Sequence, residues 1–122
     1  MLHYPKVRFA MAHVSWPWTE TCLAVMGRMR DAAGEGGSEW QSYVDITPGT
    51  PRHIKKQAVG NAIDFCGADR VMFGSDSVIP SDLSGQRVNI DEYLRIFEEL
   101  GLSNQQCERI FSRTADELFR QV

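Results

Sequence analysis

Three apolar stretches of this 122-residue chain each end close to a side chain that can do chemistry. Phe9-Ala10-Met11-Ala12 runs into His13, Tyr43-Val44-Asp45-Ile46 runs into Thr47, and Arg70-Val71-Met72-Phe73 breaks into Gly74-Ser75-Asp76. A neutral imidazole and a carboxylate that converge can hold a divalent cation or activate a water molecule by taking its proton. Asp76 and His13 are therefore the candidate catalytic groups and the candidate metal ligands, with Trp16, Asp45 and Ser75 as candidate substrate contacts beside them. Each residue taken alone also has a plainer use. Asp76 suits the cap of a turn bent at Gly74, Asp45 lies inside an apolar pattern where a buried hydrogen bond or helix cap would employ it, and Trp16 with Trp18 suits core or interface packing.

The elements that must position these groups follow from the pattern around them. Val71, Met72 and Phe73 lack polar alternation, the mark of a strand covered on both faces. The first strand is expected over Pro5 to His13, where Pro17 prevents continuation, and a helix capped by Thr19 or Thr21 then runs to about Ala33 and stops at Gly34-Glu35-Gly36-Gly37. Ser42 to Thr47 reads as a second strand. A helix from about Pro51 to Cys66 ends at Gly67, ahead of the third strand. Val78 to Val88 reads as an irregular polar loop, followed by a helix to Leu100 and a last helix from Ser103 to about Arg120 with capping-box spacing at its start. The order is strand, helix, strand, helix, strand, loop, helix, helix. That is an α/β chain of βα units with right-handed crossovers and a parallel sheet, one domain over residues 1–122. In a parallel sheet the carboxyl ends share a rim, so His13, Asp45 and Asp76 are expected there together.

Composition narrows the partners. Net charge is −3 with scattered basic residues, so nucleic acid is not expected. No apolar run approaches the ~20 residues that span a bilayer, and no signal-type amino terminus is present, so the expectation is a cytoplasmic chain without a membrane. Cys22, Cys66 and Cys107 are widely spaced with no CxxC pair, and read as buried thiols. A serine hydrolase lacks its Gly-x-Ser-x-Gly elbow and a phosphate-binding loop its Gly-Lys-Ser/Thr. Three central-type strands leave two unpaired edges, so a homo-oligomer, or pairing with a missing amino-terminal barrel half, is expected.

The motifs Phe9-Ala10-Met11-Ala12-His13, Tyr43-Val44-Asp45-Ile46 and Asp69-Arg70-Val71-Met72-Phe73-Gly74-Ser75-Asp76 resemble the metal-dependent amidohydrolase superfamily. So does the closing segment Ile110-Phe111 with Thr114-Ala115-Asp116-Glu117-Leu118-Phe119. The resemblance is to the carboxy-terminal part of the amidohydrolase-2 branch, which includes aminocarboxymuconate semialdehyde decarboxylase-like enzymes. It implies the last three βα units, strands six to eight, of a TIM-type (α/β)8 barrel plus carboxy-terminal helices. It also implies a divalent metal, zinc by preference, with Asp76 as the eighth-strand aspartate that ligates metal and handles the water proton, and His13 as the sixth-strand histidine. The implied activity is hydrolysis or decarboxylation of a small carboxylate, ester, lactone or amide through metal-activated water. The chain departs from the pattern in having no His-x-His, its histidines being His3, His13 and His53, of which the first and last read as exposed. A catalytically inactive βα half-barrel serving oligomerisation or partner binding is the alternative.

Overall fold

The computed structural model describes residues 4, 7–78 and 83–120; His3, the start of the expected first strand and part of the loop after Asp76 lie outside the described residues. Strand β1 (Phe9–Met11) is followed by a tight turn (Ala12–Ser15), helix α1 (Thr19–Glu35), β2 (Ser42–Asp45), α2 (Arg52–Cys66), a one-turn segment (Ala68–Arg70), β3 (Val71–Met72), α3 (Leu83–Glu99), α4 (Asn104–Glu108), a π-helical turn (Arg109–Arg113) and α5 (Thr114–Arg120). The sheet has the order β1-β2-β3 and is parallel throughout, with Met11 opposite Val44, Val44 opposite Val71 and Asp45 opposite Met72. The carboxyl ends of all three strands therefore lie on one rim, as the sequence predicts.

Strand alternation divides the apolar residues between the faces. Val44, Ile46 and Val71 are buried against Met26 of α1, Val59 and Ile63 of α2 and Phe97 of α3, while Tyr43 and Met72 pack under Leu118 of α5. Phe73, Tyr93, Phe97 and Phe111 form a run of edge-on and tilted ring contacts with centroids 5.0 to 6.0 Å apart, which glues β3, α3 and the π turn together. No helix among the described residues is long and apolar enough to cross a membrane. Cys22 and Cys66 are buried and Cys107 half-buried, all free. Burial pushes the Cys66 thiol up to about 11, which keeps it from acting as a nucleophile at neutral pH.

Several boundaries differ from the sequence reading, each for a local reason. β1 stops at Met11 because His13, Val14 and Ser15 adopt positive φ and cannot pair. Neither Thr19 nor Thr21 caps α1; the N-cap is Trp18, without a side-chain hydrogen bond. The stretch expected as loop to Val88 is helical from Leu83, since the burial of Tyr93, Ile96 and Phe97 outweighs the roughly 1 kcal/mol that Gly85 costs inside a helix. The final helix opens with the expected capping box, in which Ser103 Oγ accepts from the Gln106 amide at 3.3 Å and Gln106 Oε1 from the Ser103 amide at 2.9 Å. Nor are both sheet edges open, because the Phe73 amide on the outer side of β3 donates to the Ile110 carbonyl at 2.9 Å.

An ion pair ties α2 to α3 next to the core. Lys55 Nζ, on a side chain only 6% exposed, lies 2.6 Å from Glu92 Oε2, and Arg52 Nε lies 3.1 Å from Glu92 Oε1. Burial by itself pushes the Glu92 carboxyl up, but the hydrogen bond and charge of Lys55, with Arg52, outweigh it and hold Glu92 below the usual carboxylate range. A carboxyl depressed in the folded state binds fewer protons than in the unfolded one. Its stabilising contribution is thus fully present above the ordinary glutamate value near 4.3 and is lost as pH falls through the lowered folded value. Glu92→Gln is expected to cost about 2 kcal/mol at pH 7 and to flatten this part of the acid dependence, as read by urea denaturation at pH 7 and pH 3.

Candidate active site at the strand exits

All four non-glycine residues with positive φ among the described residues sit on this rim: His13, Val14 and Ser15 after β1, and Asp76 after β3. The left-handed conformation costs roughly 1–2 kcal/mol per residue, and for a β-branched residue such as Val14 it is a true outlier. The surrounding structure offsets that cost. Val14 is 1% exposed and anchored in the core, the Trp16 amide donates to the His13 carbonyl at 2.9 Å, and Thr50 Oγ1 donates to the same carbonyl at 3.3 Å.

The turn places the His13 ring against the β2 exit, with Nδ1 3.2 Å from the Thr47 carbonyl. A carbonyl oxygen can only accept, so Nδ1 carries the hydrogen and Nε2 keeps its lone pair whenever the ring is neutral. That is the tautomer a ligating or proton-accepting imidazole needs. Gly49 makes the fit possible, since a Cβ there would stand 2.7 Å from His13 Nδ1 and 2.9 Å from its Cγ. Gly49→Ala is accordingly expected to swing the ring off Thr47 while costing only about 1–3 kcal/mol of stability, a displacement visible in the His13 ring signals by NMR.

Thr47 is the hub of the rim. Its amide donates to Asp45 Oδ1 at 2.6 Å and its hydroxyl donates to the same oxygen, so Asp45 closes a local turn that fixes Thr47, which in turn receives His13. Asp45 is half-buried and its bonds close a turn rather than cap a helix, since α2 begins only at Arg52. From the other side, Gly74 approaches so closely that a Cβ on it would collide with Thr47 Oγ1. Asp76 itself is exposed at φ 55, on a loop tethered by Asn89 of α3, whose Nδ2 donates to the Ser75 carbonyl at 2.9 Å. Ser75 Oγ accepts from the Ser77 amide at 3.4 Å. Trp16 and Trp18 are 39% and 68% exposed beside His13, so neither is a core residue. His53 is exposed. Thr47 stands out in the sequence as the polar end of the second strand, though not as the group that receives His13; Gly49 and Asn89 were not singled out as site residues.

The amidohydrolase family profile matches residues 1–121. The chain belongs to the amidohydrolase family. A search of curated proteins returns no match. Among solved structures, a Pseudomonas putida protein described as a 2-pyrone-4,6-dicarboxylic acid hydrolase is similar at a TM-score of 0.57 and 22% identity, over 94% of this chain and 44% of that one. The chain therefore spans less than half the length of that relative, and the likeness is one of fold: an α/β arrangement consistent with part of a TIM-type barrel. Amidohydrolases are generally metal-dependent. Among the described residues no three His, Cys, Asp or Glu side chains come together to hold an ion.

Proposed function

We propose that this chain supplies part of the active site of a hydrolase of the amidohydrolase-2 branch, as strands six to eight of its barrel, acting on a small carboxylate, ester, lactone or amide. The observation that carries the reading is the His13 imidazole, held by the Thr47 carbonyl in the tautomer that leaves Nε2 open, on a rim where the strained backbone residues are gathered. A divalent ion bound there would supply Lewis-acid polarisation and, if zinc, lower the pKa of a water toward about 7. His13 would offer its Nε2 lone pair to that ion, Asp76 would ligate and accept the proton of the attacking water, and Trp16 would wall the substrate with Ser75 and Asp45 at the floor. The similar Pseudomonas putida protein is named for a dicarboxylic acid, which falls in the proposed substrate class. Decarboxylation in the same site is the variant reaction of the branch.

The remaining donors would come from another part of the barrel or from a second copy. β1 is the edge open to such pairing, with Ala10 exposed on it. That no three metal-ligating side chains come together among the described residues leaves one other reading open, an inactive half-barrel that serves assembly. Equilibrium dialysis with zinc combined with light scattering separates the two. Weak zinc uptake that His13→Ala abolishes is expected of a partial site, whereas no uptake at millimolar zinc supports the inactive module. A stable monomer with a full equivalent of tightly held zinc would sink the partial-site reading.

A further inference from the structure

In an unbroken α-helix the Thr114 amide would meet the carbonyl four residues back, that of Ile110. It donates instead to Arg109, and Arg109–Arg113 is a π turn. The Ile110 carbonyl is thereby left out of the helical ladder, and it accepts the amide of Phe73, the residue directly before Gly74-Ser75-Asp76. Two more contacts bind the same turn to β3. Thr114 Oγ1, at the start of α5, donates to the Ala68 carbonyl at 3.2 Å, and the Phe111 ring meets Phe73 edge-on at 5.0 Å, so the turn and the residue after it hold the segment that leads into β3 and the residue that follows it. Ile110 and Thr114 are both fully buried, which shields these bonds from exchange with water. A regular α turn would take the Ile110 carbonyl back into the ladder and leave the Phe73 amide without its acceptor.

We propose that the π turn is a positioning device for the candidate site: by releasing the Ile110 carbonyl to Phe73 it fixes the backbone from which Gly74, Ser75 and Asp76 leave the sheet. From the opposite side Gly74 is stopped by Thr47, so the exit is held between β2 and the π turn. The catalytic consequence rests on the role proposed above for Asp76; the backbone effect does not. Ile110 and Phe111 are thus positioning residues acting through Phe73, and Thr114 supports them from the Ala68 side.

Deleting Ser112 tests this. Its side chain is exposed and bonds only locally, to the Glu108 carbonyl, and because a π turn holds one residue more than an α turn the deletion closes the α ladder while keeping Thr114 and Leu118 on their faces. By NMR hydrogen exchange on the full chain, the Phe73 amide is expected to exchange about tenfold faster and the Gly74 to Asp76 amides to shift. The Ile46 amide, bonded to Met72 from the β2 side, is expected to keep its protection. Unchanged Phe73 protection, or an equal loss at Ile46, would overturn the proposal. In the parent chain a scalar coupling across the hydrogen bond from the Phe73 nitrogen to the Ile110 carbonyl carbon is expected, and its absence overturns the proposal even where the deletion variant does not fold. Zinc affinity forms a separate arm, expected to fall about tenfold on deletion. If the parent takes up no zinc while the exchange result stands, the role of Asp76 fails and the positioning survives; if the parent binds zinc and the deletion leaves affinity unchanged, positioning of the site by the turn is overturned.

Discussion

Replacing Asp76 with asparagine in the assembled, active enzyme is expected to lower kcat by about 10²- to 10⁴-fold with almost no change in Tm. The kinetic loss follows from the role proposed for Asp76, a carboxylate that takes a proton in the reaction, since an amide of the same shape cannot accept it. The small structural cost follows from where the residue sits. Asp76 is exposed and makes no core contact, and its φ of 55 is one that asparagine tolerates as well as aspartate does. Steady-state kinetics on parent and variant, with a thermal melt of each, decides it. A variant that turns over normally would remove Asp76 from the chemistry, and one that loses activity only because it melts many degrees lower would make it structural.

Phe97→Ala carries the largest expected stability effect, about 3–5 kcal/mol. Phe97 is 1% exposed, with its ring 5.3 Å from that of Phe111 and 6.0 Å from that of Tyr93, so truncation removes both the buried area and two oriented ring contacts. Against the roughly 5–15 kcal/mol that hold a domain folded, that loss brings the chain near its unfolding midpoint in water. Urea titration should show a much lower midpoint at an unchanged slope. A cost below 1 kcal/mol would mean that the aromatic cluster closes over the gap, and that α3 is not held to β3 through it.

The candidate site was partly legible before the structure. His13 and Asp76 announce themselves by type and by position at the end of apolar runs, and a parallel order of strands places such ends on one rim whatever the details. The supporting groups do not announce themselves. Thr47 matters because its carbonyl receives His13, 34 positions away in the chain, and its side chain meets the backbone of Gly74, about as far away on the other side. Gly49 looks like an ordinary turn glycine, and its role as the floor under an imidazole follows only from a distance.

The sequence by itself determined the alternation of strand and helix, the parallel sheet, the burial of Cys22 and Cys66 though not of Cys107, the Ser103 capping box and the family. These depend on local periodicity and on residue types, which a chain carries with it. Tertiary structure alone decided the left-handed run His13-Val14-Ser15, the early start of α3 at Leu83, the π turn and the covering of β3 by Ile110. Each of these goes against local preference: a β-branched valine at positive φ, a glycine inside a helix, a helix wound one residue too wide. Such conformations persist because buried contacts formed elsewhere in the chain, at Val14, Tyr93 and Thr114, return more free energy than the local strain costs, and those contacts exist only once the fold has closed.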